Sequence, residues 1–341
     1  MAGKRNLKAL SGDGVYRFIE DIGLPRYRAN QLLHWIYRKY ASEVAAITEF
    51  SKDLRNNLEG IAYISNLTLV KRLKSCDSTE KFLFALEDGQ TIESVLIPDE
   101  ARLTLCVSSQ IGCAMGCRFC LTGKIGFIRN LKAHEIVDQI IATQRTIGPQ
   151  KRITNIVLMG MGEPLSNFDE VVEALWRIVT FVGISRRKIT LSTSGIVPKM
   201  ALLAEKAPDV NLAVSLNATT DATRNEIMPI NKRYPLKALM DACRKYPLGM
   251  GRRITIEYVL VSGMNDSPED AGRLVRILRG LRCKINLIPL NPYPESALNR
   301  PPDSRVSEFQ EILTRNNLTA LVRESKGSDI LAACGQLRGT G

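Results

Sequence analysis

Residues 103–120 read Leu103-Thr-Leu-Cys106-Val-Ser-Ser-Gln-Ile-Gly-Cys113-Ala-Met-Gly-Cys117-Arg-Phe-Cys120. A short apolar run breaks here into a polar, glycine-bearing loop that carries three cysteines. The run at 103–107 has the length and composition of a strand, and everything downstream repeats the unit it begins. Apolar strands are predicted at 153–159, 188–191, 211–215, 254–260, 284–288 and 319–322, with amphipathic helices between them, among others at 133–146, 169–181, 236–246, 268–280 and 305–316. Strands alternating with helices specify a parallel sheet. Six or seven such units curl into a whole or partial (β/α) barrel, whose ligands sit at the C-terminal ends of the strands. The expected fold class is therefore α/β, a partial TIM-like barrel over residues 101–324, with the cysteine loop at its functional end.

The flanks differ in period. Residues 61–100 hold β-rich runs at 62–69, 81–86 and 91–97 separated by Asp-Ser and Glu-Asp-Gly turns, and are expected to extend the barrel sheet. Residues 1–60 read as a small helical accessory domain with helices at 12–22, 26–40 and 51–58. In the second helix Leu32, Leu33, Ile36, Tyr37 and Tyr40 share a face bordered by Arg26, Arg28, Arg38 and Lys39, which suits either a solvated surface or contact with nucleic acid. Residues 325–341 form a glycine-punctuated segment, with Gly327, Gly335 and Gly339, that carries Cys334.

A chain of 341 residues, 45% of them hydrophobic, can bury a large core, and its net charge of +12 favours a polyanionic partner such as nucleic acid. No run of 18 apolar residues and no secretory leader is present, so a cytoplasmic location without a membrane partner is expected. In that compartment the eight cysteines are better suited to metal binding or catalysis than to disulfides. With only His34 and His134, chemistry built on histidine has little to draw on.

The spacing C-x3-C-x2-C lets Cys113, Cys117 and Cys120 converge on one small centre. Iron–sulfur clusters are held by such thiolates, and three ligands on a four-iron cubane leave one iron open for a substrate. Zinc, without an evident fourth ligand, and three structural cysteines are the other readings.

With Phe119 before its last cysteine, this loop resembles that of radical S-adenosylmethionine (SAM) enzymes. The resemblance implies a [4Fe–4S] cluster on Cys113, Cys117 and Cys120, with SAM chelating the open iron and cleaved to a 5′-deoxyadenosyl radical. Wider segments resemble the RlmN/Cfr group of adenine methyltransferases: Leu105 to Cys113, Gly126-Phe-Ile-Arg-Asn-Leu131, Met159-Gly-Met-Gly-Glu-Pro164, Leu191-Ser-Thr-Ser-Gly195, Asn286-Leu-Ile-Pro-Leu-Asn-Pro-Tyr-Pro294 and Asp329 to Leu337. The likeness runs in order from about Gly89 onward. It implies SAM contacts at Gly162, Glu163, Ser192, Ser215, Leu216, Asn217 and Asn291. Glycines at 160 and 162 would permit close approach of backbone to ligand, and Glu163 would receive the SAM amino group. Asn217 stands where many members of the group have histidine.

Adenine C2 is a poor nucleophile, so polar transfer of a methyl cation to it fails and radical chemistry is needed. The resemblance implies that Cys334 becomes S-methylcysteine at the expense of one SAM, that a second SAM supplies the radical acting on that methyl, and that the methylene adds to adenine. Glu93 would accept the ring proton. Cys106 would release the product by forming a transient disulfide with Cys334. The implied activity is C2 methylation of an adenosine in the peptidyl transferase region of 23S rRNA and of the anticodon-adjacent adenosine of tRNAs, by a monomer supplied by an electron donor. The alternatives are Cfr-type C8 methylation of the same rRNA adenosine and, in a different class, a non-catalytic zinc- or RNA-binding protein; the 286–294 segment is closer to RlmN.

Overall fold

The computed structural model describes residues 3–293 and 296–339. Pro294 and residues 340–341, which belong to two of the segments quoted above, lie outside the described residues. The N-terminal part begins with β1 (Arg5–Asn6), followed by α1 (Gly12–Asp21), α2 (Tyr27–Tyr37) and α3 (Lys52–Ile61), and β2 (Ala62–Tyr63) returns to pair with β1 in parallel. Ser11 and Ser51 cap α1 and α3 by accepting from the amides of Gly14 and Leu54. Then come β3 (Thr68–Lys74), β4 (Glu80–Ala85), β5 (Thr91–Asp99) and β6 (Arg102–Cys106), joined as an antiparallel meander.

From β6 the sheet turns parallel. A hairpin of β7 (Gln110–Gly112) and β8 (Phe127–Asn130) encloses α4 (Leu121–Ile125), and α5 (Ala133–Ile147) leads to β9 (Asn155–Leu158). The units α6 (Phe168–Arg177) with β10 (Ile189–Thr193), α7 (Val197–Lys206) with β11 (Asn211–Ser215), and α8 (Asp221–Ile227) and α9 (Leu236–Lys245) with β12 (Ile254–Leu260) follow. The last are α10 (Pro268–Leu278) with β13 (Cys283–Pro289), and α11 (Asp303–Arg315) with β14 (Ala320–Val322). One sheet of ten strands runs β14-β13-β12-β11-β10-β9-β6-β5-β4-β3, and its two edges do not pair. The barrel is thus partial, as the strand pattern implied.

Three elements differ from their sequence reading; the helix read at 26–40 ends at Tyr37, so Tyr40 (φ +58°) lies past it. The β-rich run at 62–69 is two pieces: β2 stops at Tyr63, and the sheet strand begins only at Thr68. Six of the seven residues of β3 are exposed, so this edge strand lacks the alternation that reveals a half-buried one. The helix read at 169–181 continues from α6 into a π-helical turn, Ile178–Val182, which carries Phe181 onto Tyr37 with ring centroids 5.3 Å apart.

The N-terminal helices pack on the outside of the barrel and share its core, with Leu32 and Ile36 fully buried. Lys8 is buried with them, donating to Asp138 of α5 at 2.6 Å and to the Ser65 carbonyl at 2.7 Å. Beside it on α5, burial holds His134 down to about pKa 4 from an ordinary 6.5. The unfolded chain therefore takes up a proton at His134 below about pH 6.5 that the folded chain refuses until about pH 4, and stability falls as pH drops through that window. Against a His134→Asn variant in urea unfolding, the stability advantage of the parent should shrink by on the order of 2 kcal/mol between pH 7 and 4.5; an unchanged difference would contradict a neutral buried imidazole.

Candidate active site

All but two of the candidate residues gather where the parallel strands end, around two adjoining cavities. The first is lined by Cys113, Cys117 and Cys120 together with Gly162, Glu163, Ser192, Ser215, Asn217 and Asn291. The second holds Cys106 and Cys334, and Cys120, Asn291 and Cys334 belong to both. Leu216 is buried behind the first, its carbonyl accepting from Arg224 Nε at 2.9 Å. Glu93 opens into neither.

The cluster loop is set by β7, β8 and the glycines in and beside it, Gly112, Gly116 and Gly123. A Cβ on Gly123 would lie 3.1 Å from the Cys117 amide nitrogen, so Cys117 and α4 touch backbone to backbone. Burial of the sulfurs pushes the thiols up, Cys113 to about 12 and Cys117 and Cys120 in the same direction. Three thiolates here need a positive centre to offset the desolvation. Among the described residues, no three His, Cys, Asp or Glu close around a point as a single metal ion requires. Cys113, Cys117 and Cys120 line one cavity, and three thiolates that leave one iron open are a donor set that fits a [4Fe–4S] cluster.

The glycines after β9 make a close approach, but to the protein itself. Met161, between them, receives the amides of Ser109 and Gln110 on its carbonyl and donates its own amide to Ser108 Oγ. A Cβ on Gly162 (φ +102°) would lie 2.6 Å from that of Gln110. Gly162→Ala therefore combines backbone strain with a clash, and is expected to cost about 3 kcal/mol or more in unfolding experiments and to abolish SAM binding. A stable variant with normal SAM affinity would show that the strand-end loops are not held in this register.

Glu163 is buried, which raises its carboxyl above the ordinary range against the hydrogen bonds it accepts from Ser194 N, Thr193 Oγ1 and Leu165 N. Of about four lone-pair positions, one is left for a ligand. Asn217 adopts φ +57°, a conformation asparagine tolerates, and its Oδ1 accepts the Val259 amide at 2.8 Å. Asn291 reaches across to Cys334, donating to its carbonyl at 3.2 Å, and accepts from Ser325 Oγ. Cys334 is exposed and Cys106 buried, its thiol pushed up to about 12 by burial and then by the neighbouring Cys334.

The structure places Glu93 in a third hollow beside these two, with Lys81, Leu331 and Arg338. It is buried, not turned to solvent as an alternating strand at a surface would leave it. The segment around Cys334 lies over it. Three further residues carry no motif. Glu257 of β12 is buried in the cluster cavity and accepts from Ser192 Oγ at 2.6 Å and Ser215 Oγ at 3.4 Å. Arg323 follows β14 into the thiol cavity, where the Cys334 sulfur, before Glu257 and Cys106, pushes its guanidinium up against burial. Fully buried Arg224 ties together the carbonyls of Ser194, Ser215 and Leu216. A carboxylate inside the apolar run Ile254–Leu260 was a signal for the first; the two arginines had none.

Comparison with known proteins agrees with this geometry. Residues 107–275 match the model of the radical SAM superfamily, and residues 5–64 that of the ribosomal RNA large subunit methyltransferase N-terminal domain. The dual-specificity RNA methyltransferase RlmN of Pelobacter propionicus is 49% identical over 341 residues, covering 99% of this chain and 97% of that protein. The chain belongs to the RlmN family of radical SAM RNA methyltransferases. The RlmN protein of Geobacter sulfurreducens is also 49% identical, over 98% of this chain and 92% of its own. A crystal structure of a radical SAM methyltransferase from Sphaerobacter thermophilus superposes with a TM-score of 0.94 at 44% identity, covering 98% of this chain and 100% of that one. No helix among the described residues is long and apolar enough to cross a membrane.

Proposed function

We propose that this chain methylates C2 of one adenosine in the peptidyl transferase region of 23S rRNA and of the anticodon-adjacent adenosine of tRNAs, carrying the methyl group on Cys334. The observation that carries the reading is that two thiols, Cys106 and Cys334, share a cavity that opens onto the cluster cysteines. A SAM enzyme transferring a methyl group directly would need neither.

The chain's residues divide the work. Cys334 Sγ attacks the methyl of one SAM: a carbon–sulfur bond forms, the sulfonium bond breaks and S-adenosylhomocysteine leaves. A [4Fe–4S] cluster bound by Cys113, Cys117 and Cys120 supplies one-electron cleavage of a second SAM, and so a radical able to take hydrogen from the methyl on Cys334. Cys334 then holds the reacting carbon against the adenine, and the radical adduct formed gives up its ring proton and one electron, for which an oxidised cluster held by Cys113, Cys117 and Cys120 would be the acceptor. Glu93 receives that proton on a carboxylate oxygen, for which the segment now covering it must lift. Cys106 attacks Cys334 Sγ; the disulfide forms as the bond from sulfur to the new methylene breaks, and the electron pair left on that carbon takes a proton to complete the methyl group. A thiol reductant restores the two cysteines.

The net charge of +12 supports an RNA substrate. A cytoplasmic monomer with a separate electron donor completes the proposal. The test is nucleoside mass spectrometry of rRNA and tRNA from cells with and without this protein. We expect 2-methyladenosine only where it is present; 8-methyladenosine in its place would overturn the assignment of position.

A further inference from the structure

Glu93 does not stand alone. β4 and β5 pair so that Lys81 faces Val95 and Leu83 faces Glu93, and β5 and β6 so that Val95 faces Cys106. Directly opposed residues of antiparallel strands share a face. Lys81, Glu93, Val95 and Cys106 therefore form one band across the sheet, and the Cys334 segment lies over it.

The contacts between band and segment are specific. Lys81 Nζ lies 3.0 Å from Glu93 Oε1 and donates to the Leu331 carbonyl at 3.0 Å. Glu93 Oε2 accepts from the amides of Arg338 at 2.8 Å and Gly339 at 3.2 Å. Two side chains thus grip the segment on both sides of Cys334. The two side chains are only 9% and 4% exposed, and burying such a pair is costly enough that it adds little to stability.

We propose that Lys81 is a positioning residue for the reaction, setting the carboxylate of Glu93 and, through Leu331, the placement of the Cys334 segment over the Cys106 face. The proposal rests on the reading of Glu93 as proton acceptor. Of the partners of Glu93, the two amides belong to the segment and leave with it, whereas Lys81 stays on the sheet. When the segment lifts, Lys81 keeps Oε1 anchored while Oε2, freed of both amides, faces the adduct. The ring C–H bond breaks, an O–H bond forms on Oε2, and the electron pair stays in the ring.

Lys81→Met keeps the aliphatic stem and removes the ammonium group; Lys81→Arg keeps the charge; Glu93→Gln removes the base. Each full-length, cluster-loaded variant is incubated with SAM, reductant and RNA, and the products are separated on a denaturing gel. Lys81→Met and Glu93→Gln are expected to accumulate the covalent protein–RNA adduct, with released product from Lys81→Met down by about 10- to 100-fold, and Lys81→Arg to clear most of the adduct. If Lys81→Met does not fold, Lys81→Gln takes its place with the same expectation. Adduct with Glu93→Gln but none with the neutral Lys81 variants would overturn the role of Lys81 and leave that of Glu93 standing. No adduct with any variant would overturn the proton-acceptor reading, and the role of Lys81 with it.

Discussion

Cys334→Ala is expected to lower RNA methylation by about 10⁴-fold or more, the scale on which nucleophile removal acts. The variant should keep its iron content, because the three cluster thiols lie on a separate loop and Cys334 meets that loop through backbone. The contact is the Leu121 amide on the Gly335 carbonyl at 2.6 Å, which an alanine at 334 leaves in place. Radiolabelled methyl from SAM should then appear neither on the protein nor on RNA. Cys106→Ala is expected to stop the reaction later, with the methyl loaded on the protein and a protein–RNA adduct that persists on a denaturing gel. Because both thiols line one cavity, a difference between the variants isolates the order of steps from the shape of the site. Methylated RNA from Cys334→Ala at more than about 1% of the parental rate, against the loss expected for a missing nucleophile, would remove the methylcysteine from the reaction.

Cys117→Ala is expected to abolish the activity at its source. A cubane on two protein thiolates has lost one of three anchors, so bound iron should fall from about four per chain to below one, with no 5′-deoxyadenosine released. The fold should survive. Cys117 lies at the margin of a small apolar cluster with Ala218, Ile227 and Met228, outside the main core, so far-UV circular dichroism and the unfolding midpoint should stay close to the parent's. A Cys117→Ala protein that held four irons and cleaved SAM would mean that the cluster has another ligand.

The barrel could be read because buried parallel strands announce themselves. Asn211–Ser215 and Ile254–Leu260 fall where the sequence put them, since strands covered on both faces are apolar runs bounded by turn residues. β3 could not be bounded in this way. Its Lys71, Arg72 and Lys74 belong to an edge strand defined by its partner and not by its own pattern. The site divides along the same line. Cys113, Cys117 and Cys120 are legible because their geometry is set within eight residues, while Glu257, Arg323 and Lys81 owe their positions to partners far along the chain. Gly160 and Gly162 were read as allowing close approach to a ligand, and the structure shows in addition a close approach between two loops of the protein at both positions.

The docking of the Cys334 segment has a consequence for biosynthesis. Ala332 and Leu337 complete a small core with Val95, Cys106 and Met161. A nascent chain that has already formed every strand of the sheet still presents that apolar trough to water, because its cover is translated after β14. Cys106 and Cys334 therefore meet only in a molecule whose scaffold is finished, and a ribosome that stalls between β14 and Cys334 yields a folded barrel without that thiol and with an open hydrophobic groove, a species that chaperones and proteases can recognise.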